Sequence, residues 1–339
     1  ESTLAQIYKK KGEDGSCYGG PAYYIEAALH CRPLAIVFCV AMILTYAFGF
    51  NMLASYNLQS TFSVFSFYEA KISPWIIGGI LAVLTGWCLL GGGSRIVKVT
   101  SMVVPVMGIA YIGISLLVVI INIQNVPAMF VRIFEEAFDF RAIFGAFSGS
   151  AMMQGIRRGL YSNEAGIGSA PNASASANVS HPVKQGLIQA LGVFIDTLVI
   201  CSCSAFLMLL APAEKIEGLM GMDLLQAAMN HHLGYAGVVF IAVVLFLFSF
   251  STFLGILYYA RCNVSYVFGD TWKAQTGYKI FLLIMLFIGG VAAYEFVWEL
   301  GDLGVGLMTV FNMIAIVPLS GQAINALKDY ETNYKKKKI

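Results

Sequence analysis

Residues Tyr235–Ala260 read YAGVVFIAVVLFLFSFSTFLGILYYA, an apolar run without a charged side chain. At 1.5 Å per residue, a helix of this length crosses a hydrocarbon core about 30 Å thick. Seven more apolar segments stand on either side of it, at about 34–57, 74–91, 100–123, 141–157, 186–211, 279–298 and 303–325. Polar or Gly/Pro-marked connections separate them, such as Ile72-Ser-Pro74, Gly91-Gly-Gly-Ser94 and Ala211-Pro-Ala213. Barrel strands would be about ten residues long and would alternate, and nothing here alternates. The pattern predicts an all-α polytopic membrane protein with eight transmembrane helices.

Composition agrees. Of 339 residues, 58% are hydrophobic and 12% charged, about half the charge a soluble domain carries. So thin a polar coat excludes soluble enzyme folds and nucleic-acid binders. Orientation follows from Lys and Arg, which concentrate on the cytoplasmic side of membrane proteins. With the Lys335–Lys338 tail inside and eight crossings, 17 of the 21 basic residues fall inside. Only Lys71, Arg132, Arg141 and Lys215 fall outside. Both chain ends are therefore expected to be cytoplasmic. The seven cysteines form no CxxC pair and read as packing residues. No metal-ligand set appears, and His30, His181, His231 and His232 sit in connections or at span ends, where they pair with no nucleophile at membrane depth. Asn-x-Ser matches at Asn172, Asn178 and Asn263 fall on the inner side and are discounted.

Three places could carry function. Gly145, Ser148, Gly149 and Ser150 crowd the middle of the short segment 141–157. Backbone freed there is tolerated only where it lines a cavity or is buried in protein, and close helix packing is the competing reading. Ser251 and Thr252 offer adjacent hydroxyl oxygens of the kind a small alkali cation takes, although such hydroxyls often bond back to their own helix. Asp196 is an acid well inside a span, either a proton relay or a structural anchor. Of the two long connections, 212–233 carries an apolar pattern at Met222–Met229 that predicts a short helix on the outer surface. The inner stretch 158–185 is rich in small residues suited to close packing.

Arg158-Gly-Leu-Tyr-Ser-Asn-Glu-Ala-Gly-Ile-Gly-Ser-Ala-Pro-Asn172 closely resembles the signature of the alanine or glycine:cation symporter family. Ser180-His-Pro-Val-Lys-Gln-Gly186, Phe194-Ile-Asp-Thr197, Gly19-Gly-Pro-Ala-Tyr-Tyr-Ile-Glu26 and Gly91-Gly-Gly-Ser-Arg95 extend the likeness from end to end. The resemblance implies a non-enzymatic carrier in a bacterial cytoplasmic membrane. It would couple sodium or protons to a small neutral amino acid such as alanine or glycine, without a cofactor, nucleic acid or resident metal beyond the alkali cation. It leaves the oligomeric state open, a monomer sufficing.

The same resemblance implies a LeuT-type inverted repeat of five plus five helices and a single transporter domain over 1–339. Family members carry a leading helix and two core helices before the point matching Glu1. The eight spans here would then be the last eight of eleven, and the 339 residues alone would not transport. The resemblance makes Ser251 and Thr252 cation ligands. It assigns Phe147, Ser148, Gly149, Ser150, Asn51, Ala54 and Ile256 to the substrate, and Ser162, Asn163, Glu164 and Gly166 to the inner gate. Ala54 stands where many members have Gln, Ile256 where they have Trp or Asn, and Arg261 where Glu is usual. The pocket is then less polar and roomier, which puts the identity of the amino acid in question. A channel would need polar residues through several spans, which this sequence lacks. A membrane scaffold is the remaining rival.

Overall fold

The computed structural model describes residues 1–12, 17–90, 92–138 and 151–334. Five helices are long and apolar enough to cross a membrane: Arg32–Thr61, Arg95–Ile121, Pro182–Leu209, Tyr235–Phe268 and Tyr294–Asn333, with a shorter apolar helix at Ser73–Leu89. Val83, Met102, Ile109 and Ile120 on these helices are each about two-thirds or more exposed. Rows of bare aliphatic side chains would drive a soluble protein to aggregate and suit a helix facing hydrocarbon. The chain is a helical polytopic membrane protein.

Six of the predicted segments coincide with these helices, with boundaries shifted by up to nine residues, the most at Tyr294. The seventh is displaced. Its helix runs Trp272–Gly289, seven residues earlier at its start than the predicted 279–298. Lys273 and Lys279 lower the hydropathy of its first turns, so an apolar window begins too late. Thr271 caps it by accepting the Ala274 N–H, and Gly289-Gly290 end it in a turn closed by Val291 N–H to Ile288 O at 3.1 Å. The last helix then starts at Tyr294. Most of the segment 141–157 lies outside the described residues, which resume with the helix Ala151–Asn163.

The chain divides into two compact units. One comprises Glu1–Leu53, Glu164–Val193 and Phe253–Ile339. It holds a short antiparallel pair, Lys10↔Tyr18 and Lys11↔Cys17, and the helix Pro21–Leu29, whose Tyr24 and Ile25 are fully buried. Its long helix from Arg32 contains a π-helical stretch, Leu44–Phe50, packed on the last helix. A side chain on Gly304 would meet Thr45 Cγ2 at 2.6 Å, so glycine is what lets these backbones touch. Arg261 donates to the Tyr18 hydroxyl at 2.6 Å, and Tyr18 in turn donates to Asp270 at 2.7 Å, fastening the strand pair. Asn172 and Asn263 are buried and bonded to each other at 3.0 Å, which agrees with discounting them as modification sites.

The other unit comprises Ala54–Asn163 and Phe194–Thr252. Its core gathers Tyr111, Val118, Met129, Leu207, Met229 and Ile241. The short helix predicted from Met222–Met229 is present as Gly221–Leu233, burying Leu225, Gln226, Ala228 and Met229. Gln226 anchors it by donating to Thr61 O at 2.6 Å. His232 anchors its end, with Nε2–H donating to Leu207 O at 3.0 Å and Nδ1 accepting from Asn122 at 3.4 Å.

Burial pushes the His232 pKa down, beyond what its bond to Leu207 restores. A histidine held neutral in the fold stabilises above its unfolded pKa near 6.5, and that contribution is lost as the pH falls below it. Protection factors across 221–233, corrected for the intrinsic exchange rate at each pH, are therefore expected to fall below about pH 6.5. A His232→Gln variant, which has no group to titrate there, should lose that pH dependence.

Candidate functional site

The signature stretch Ser162–Gly168 connects the helix Ala151–Asn163 to the short helix Ala170–Ser174. Its backbone turns through left-handed φ at Glu164 (53°), Gly166 (88°) and Gly168 (91°). A charged residue in that conformation is uncommon and is held there by side-chain bonds. The Glu164 carboxylate accepts the Tyr46 hydroxyl at 2.9 Å and the Ser169 hydroxyl. Tyr46 itself is wedged between Phe50, stacked at 4.9 Å, and Tyr259, edge-on at 5.5 Å. Two residues on, Gly166 O accepts from the Asn312 amide at 2.9 Å, and the Asn312 oxygen accepts from Tyr24. Asn312 also donates to Glu1, whose carboxylate takes the Gly166 N–H at 3.1 Å.

Ser162 and Asn163, the two signature residues before Glu164, bond in the other unit. Ser162 donates to Asp196 and lies 2.9 Å from Cys201 Sγ. Asn163 donates to Thr197 Oγ1 at 3.1 Å. Asp196 and Thr197 belong to a π-helical stretch, Ile195–Ile200, in the middle of the helix Pro182–Leu209. The gate pair Ser162 and Asn163 and the intramembrane Asp196, singled out on separate grounds, thus fall into one cluster.

Ser251 and Thr252 are less engaged. Both donate to the same carbonyl, Phe248 O, at 2.8 and 2.9 Å, the back-bonding that the sequence reading weighed against a cation role. A hydroxyl that spends its hydrogen on its own helix still keeps its oxygen lone pairs. Thr252 is exposed and Ile256 buried. Asn51 is fully buried, with Nδ2 donating to Leu282 O at 2.6 Å, while Oδ1 meets no donor among the described residues. An orphaned buried amide oxygen costs about 1–3 kcal/mol, so such an atom invites a ligand. Ala54 is half-buried one helical turn on. Phe147, Ser148, Gly149 and Ser150 lie outside the described residues.

No cluster of three potential metal ligands occurs among the described residues, and the seven cysteines are free. Tyr46 and Asn312 stand outside the motifs quoted from the sequence, and Tyr24 and Ser169 lie inside them without an assigned role. A signal for Asn312 was present: it is the one amide side chain between Leu303 and Gly321, and it is fully buried.

The whole chain, residues 1–339, matches the family described as the sodium:alanine symporter family. "Probable sodium/glutamine symporter GlnT" of Bacillus subtilis is 42% identical over 330 residues, 97% of this chain and 68% of its own length. The sodium/alanine symporter AgcS of Methanococcus maripaludis is 33% identical over 97% of this chain and 73% of its own. The sodium/proton-dependent alanine carrier protein of Bacillus sp. strain PS3 is 33% identical over 91% of this chain and 71% of its own. The apolar helices, the ordered signature loop and these matches along the full 339 residues lead to one statement: the chain belongs to the sodium:alanine symporter family, whose members are carriers and not enzymes.

Proposed function

We propose that this protein is a secondary active carrier that moves alanine, or a similar small neutral amino acid, with sodium or protons across the cytoplasmic membrane. The observation that carries the reading is membership of the symporter family along the entire chain. Eight spans, both ends cytoplasmic, a LeuT-type five-plus-five repeat and one transporter domain over 1–339 form the architecture of the proposal. The strong bias of Lys and Arg to one side supports that orientation.

Within it, Ser251 and Thr252 contribute hydroxyl oxygens to the cation, their hydrogens already turned to Phe248 O. The orphaned Asn51 oxygen accepts from the substrate ammonium. Phe147, Ser148, Gly149 and Ser150 complete the substrate contacts together with Ala54 and Ile256. Glu164, clasped by Tyr46 and Ser169, keeps Ser162, Asn163 and Gly166 in their inner-gate positions. A bound cation then stabilises the conformer that holds the amino acid, which is all that coupling requires.

A second reading keeps the mechanism and changes the cargo. GlnT, 42% identical, is named for glutamine, and Ala54 and Ile256 leave more room than an amide and an indole would. Equilibrium binding to the purified full-length protein tests the proposal. Sodium or protons should tighten alanine binding, and alanine should tighten cation binding by the same factor. Alanine affinity indifferent to both cations would refute coupling, and glutamine displacing alanine at lower concentration would favour the second cargo.

A further inference from the structure

We infer that Asp196 and Ser162 form a proton-binding site, distinct from the Ser251–Thr252 hydroxyls, that carries the proton in this protein's coupled transport. The inference rests on the transport reading above and adds to it the residue that takes the proton. Ser162 closes the helix Ala151–Asn163, and its hydroxyl lies between two groups, Asp196 Oδ2 and Cys201 Sγ. Asp196 is half-buried in the middle of a helix apolar enough to span a membrane. A carboxylate at that depth is costly unless it is paired or neutralised. No salt bridge to it occurs among the described residues, so a proton is the cheapest neutralising partner.

The cluster suits a proton better than a second alkali ion. A hard cation prefers a shell of oxygens, and the third member here is a soft sulfur. The Ser162 hydrogen, moreover, already points at the carboxylate. Protonation needs only a local rearrangement. With Asp196 ionised, Ser162 donates to it. When the carboxylate takes a proton, its new O–H donates to Ser162 Oγ, and Ser162 turns its own hydrogen to the sulfur of Cys201. One proton is bound, the new carboxyl O–H is the only covalent bond formed, the Cys201 S–H gives up Ser162 Oγ as its acceptor, and the hydrogen-bond direction through Ser162 reverses. Asn163 beside it holds Thr197 in the same π-helical stretch, so the end of the signature helix is tied at two points to the titrating segment. Single π-helical turns of this kind recur at functional sites.

Among the described residues, the helices Gly92–Ile121 and Ala151–Asn163 pack most closely on that stretch. They bring Arg95, Lys98 and Tyr111, and Arg157, Arg158 and Tyr161, while Cys201 and Cys203 lie on Asp196's own helix. Arg95 stacks over Trp87 at 4.6 Å and Arg158 over Tyr161 at 4.9 Å, and Tyr111 bonds Ser204 at 2.7 Å. Cys201 is the titratable group that shares the Ser162 hydroxyl with Asp196.

Infrared difference spectroscopy on the full-length protein, titrated with acid in the absence of amino acid, tests this. The expected result is a protonated-carboxyl band that grows on acidification and is lost in Asp196→Asn. The Cys201 S–H band should shift in step with it, and in Ser162→Ala that shift should be gone while the carboxyl band remains. Ser162→Ala keeps the proposal testable if Asp196→Asn does not fold. A carboxyl band that survives Asp196→Asn, its absence from the wild type, or an S–H shift that persists in Ser162→Ala would each overturn the site. Because no transport is measured, these failures are separate from a failure of cation-coupled alanine binding, which would overturn the carrier reading instead.

Discussion

Replacing Thr252 with alanine is expected to weaken apparent sodium affinity in alanine uptake by about 10- to 100-fold. The estimate follows from removing one oxygen partner of a charged group, worth about 1.5–3 kcal/mol, at 1.4 kcal/mol per tenfold. Thr252 is exposed among the described residues, and its hydroxyl bonds only the turn beneath it. Its removal should therefore leave folding intact and act on the ion alone. Thr252→Ser retains the oxygen and should restore most of the affinity. Sodium titrations of initial uptake rate in the three proteins decide the matter. An unchanged sodium dependence in Thr252→Ala would remove Thr252 from the cation site.

Gly168→Ala should have the opposite profile, with a large loss of folded protein whatever the ligand. Gly168 adopts φ of +91°, where an L side chain is strained. A methyl placed there would stand 2.7 Å from Pro21 Cγ, 2.8 Å from Phe38 Cζ and 3.1 Å from Asn312 Cγ. Phe38 and Asn312 are fully buried, and Asn312 also holds Gly166 O at 2.9 Å, so none of the three can withdraw freely. Strain and overpacking together should cost on the order of 3 kcal/mol. Thermal unfolding followed by detergent size-exclusion chromatography measures it. Gly108→Ala, whose added methyl would meet nothing within 4 Å, is the matched control and should be neutral or slightly stabilising.

These two variants mark what a sequence can and cannot disclose. Tyr235–Ala260 announces a membrane helix by composition alone, and Met222–Met229 announces its surface helix by spacing, because both signals are local. The seventh segment was misplaced because two lysines and a glycine pair moved the helix against its hydropathy. The π-helical stretches Leu44–Phe50 and Ile195–Ile200 carry no local mark in the sequence, and the first of them lies against Gly304, about 250 residues further along the chain. Asp196 was visible as an acid inside a span, and Ser162 only through the family signature. Their bond, across 34 residues, was not, and neither was that of Tyr46 to Glu164 across 118. Pairings of this kind are a property of the fold. For Ser251 and Thr252 the residues were legible as a hydroxyl pair, and their shared acceptor, Phe248 O, is the back-bonding that competes with the proposed cation role.

The central claim is that a cation gradient drives a neutral amino acid uphill through this protein. Full-length protein in sealed liposomes, given an inward sodium gradient at matched pH and then an inward proton gradient without sodium, tests it most directly. Labelled alanine is expected to accumulate above its external concentration under at least one gradient and to leak back when an ionophore collapses it. Equilibration that stops at equal concentrations under both gradients would contradict the claim.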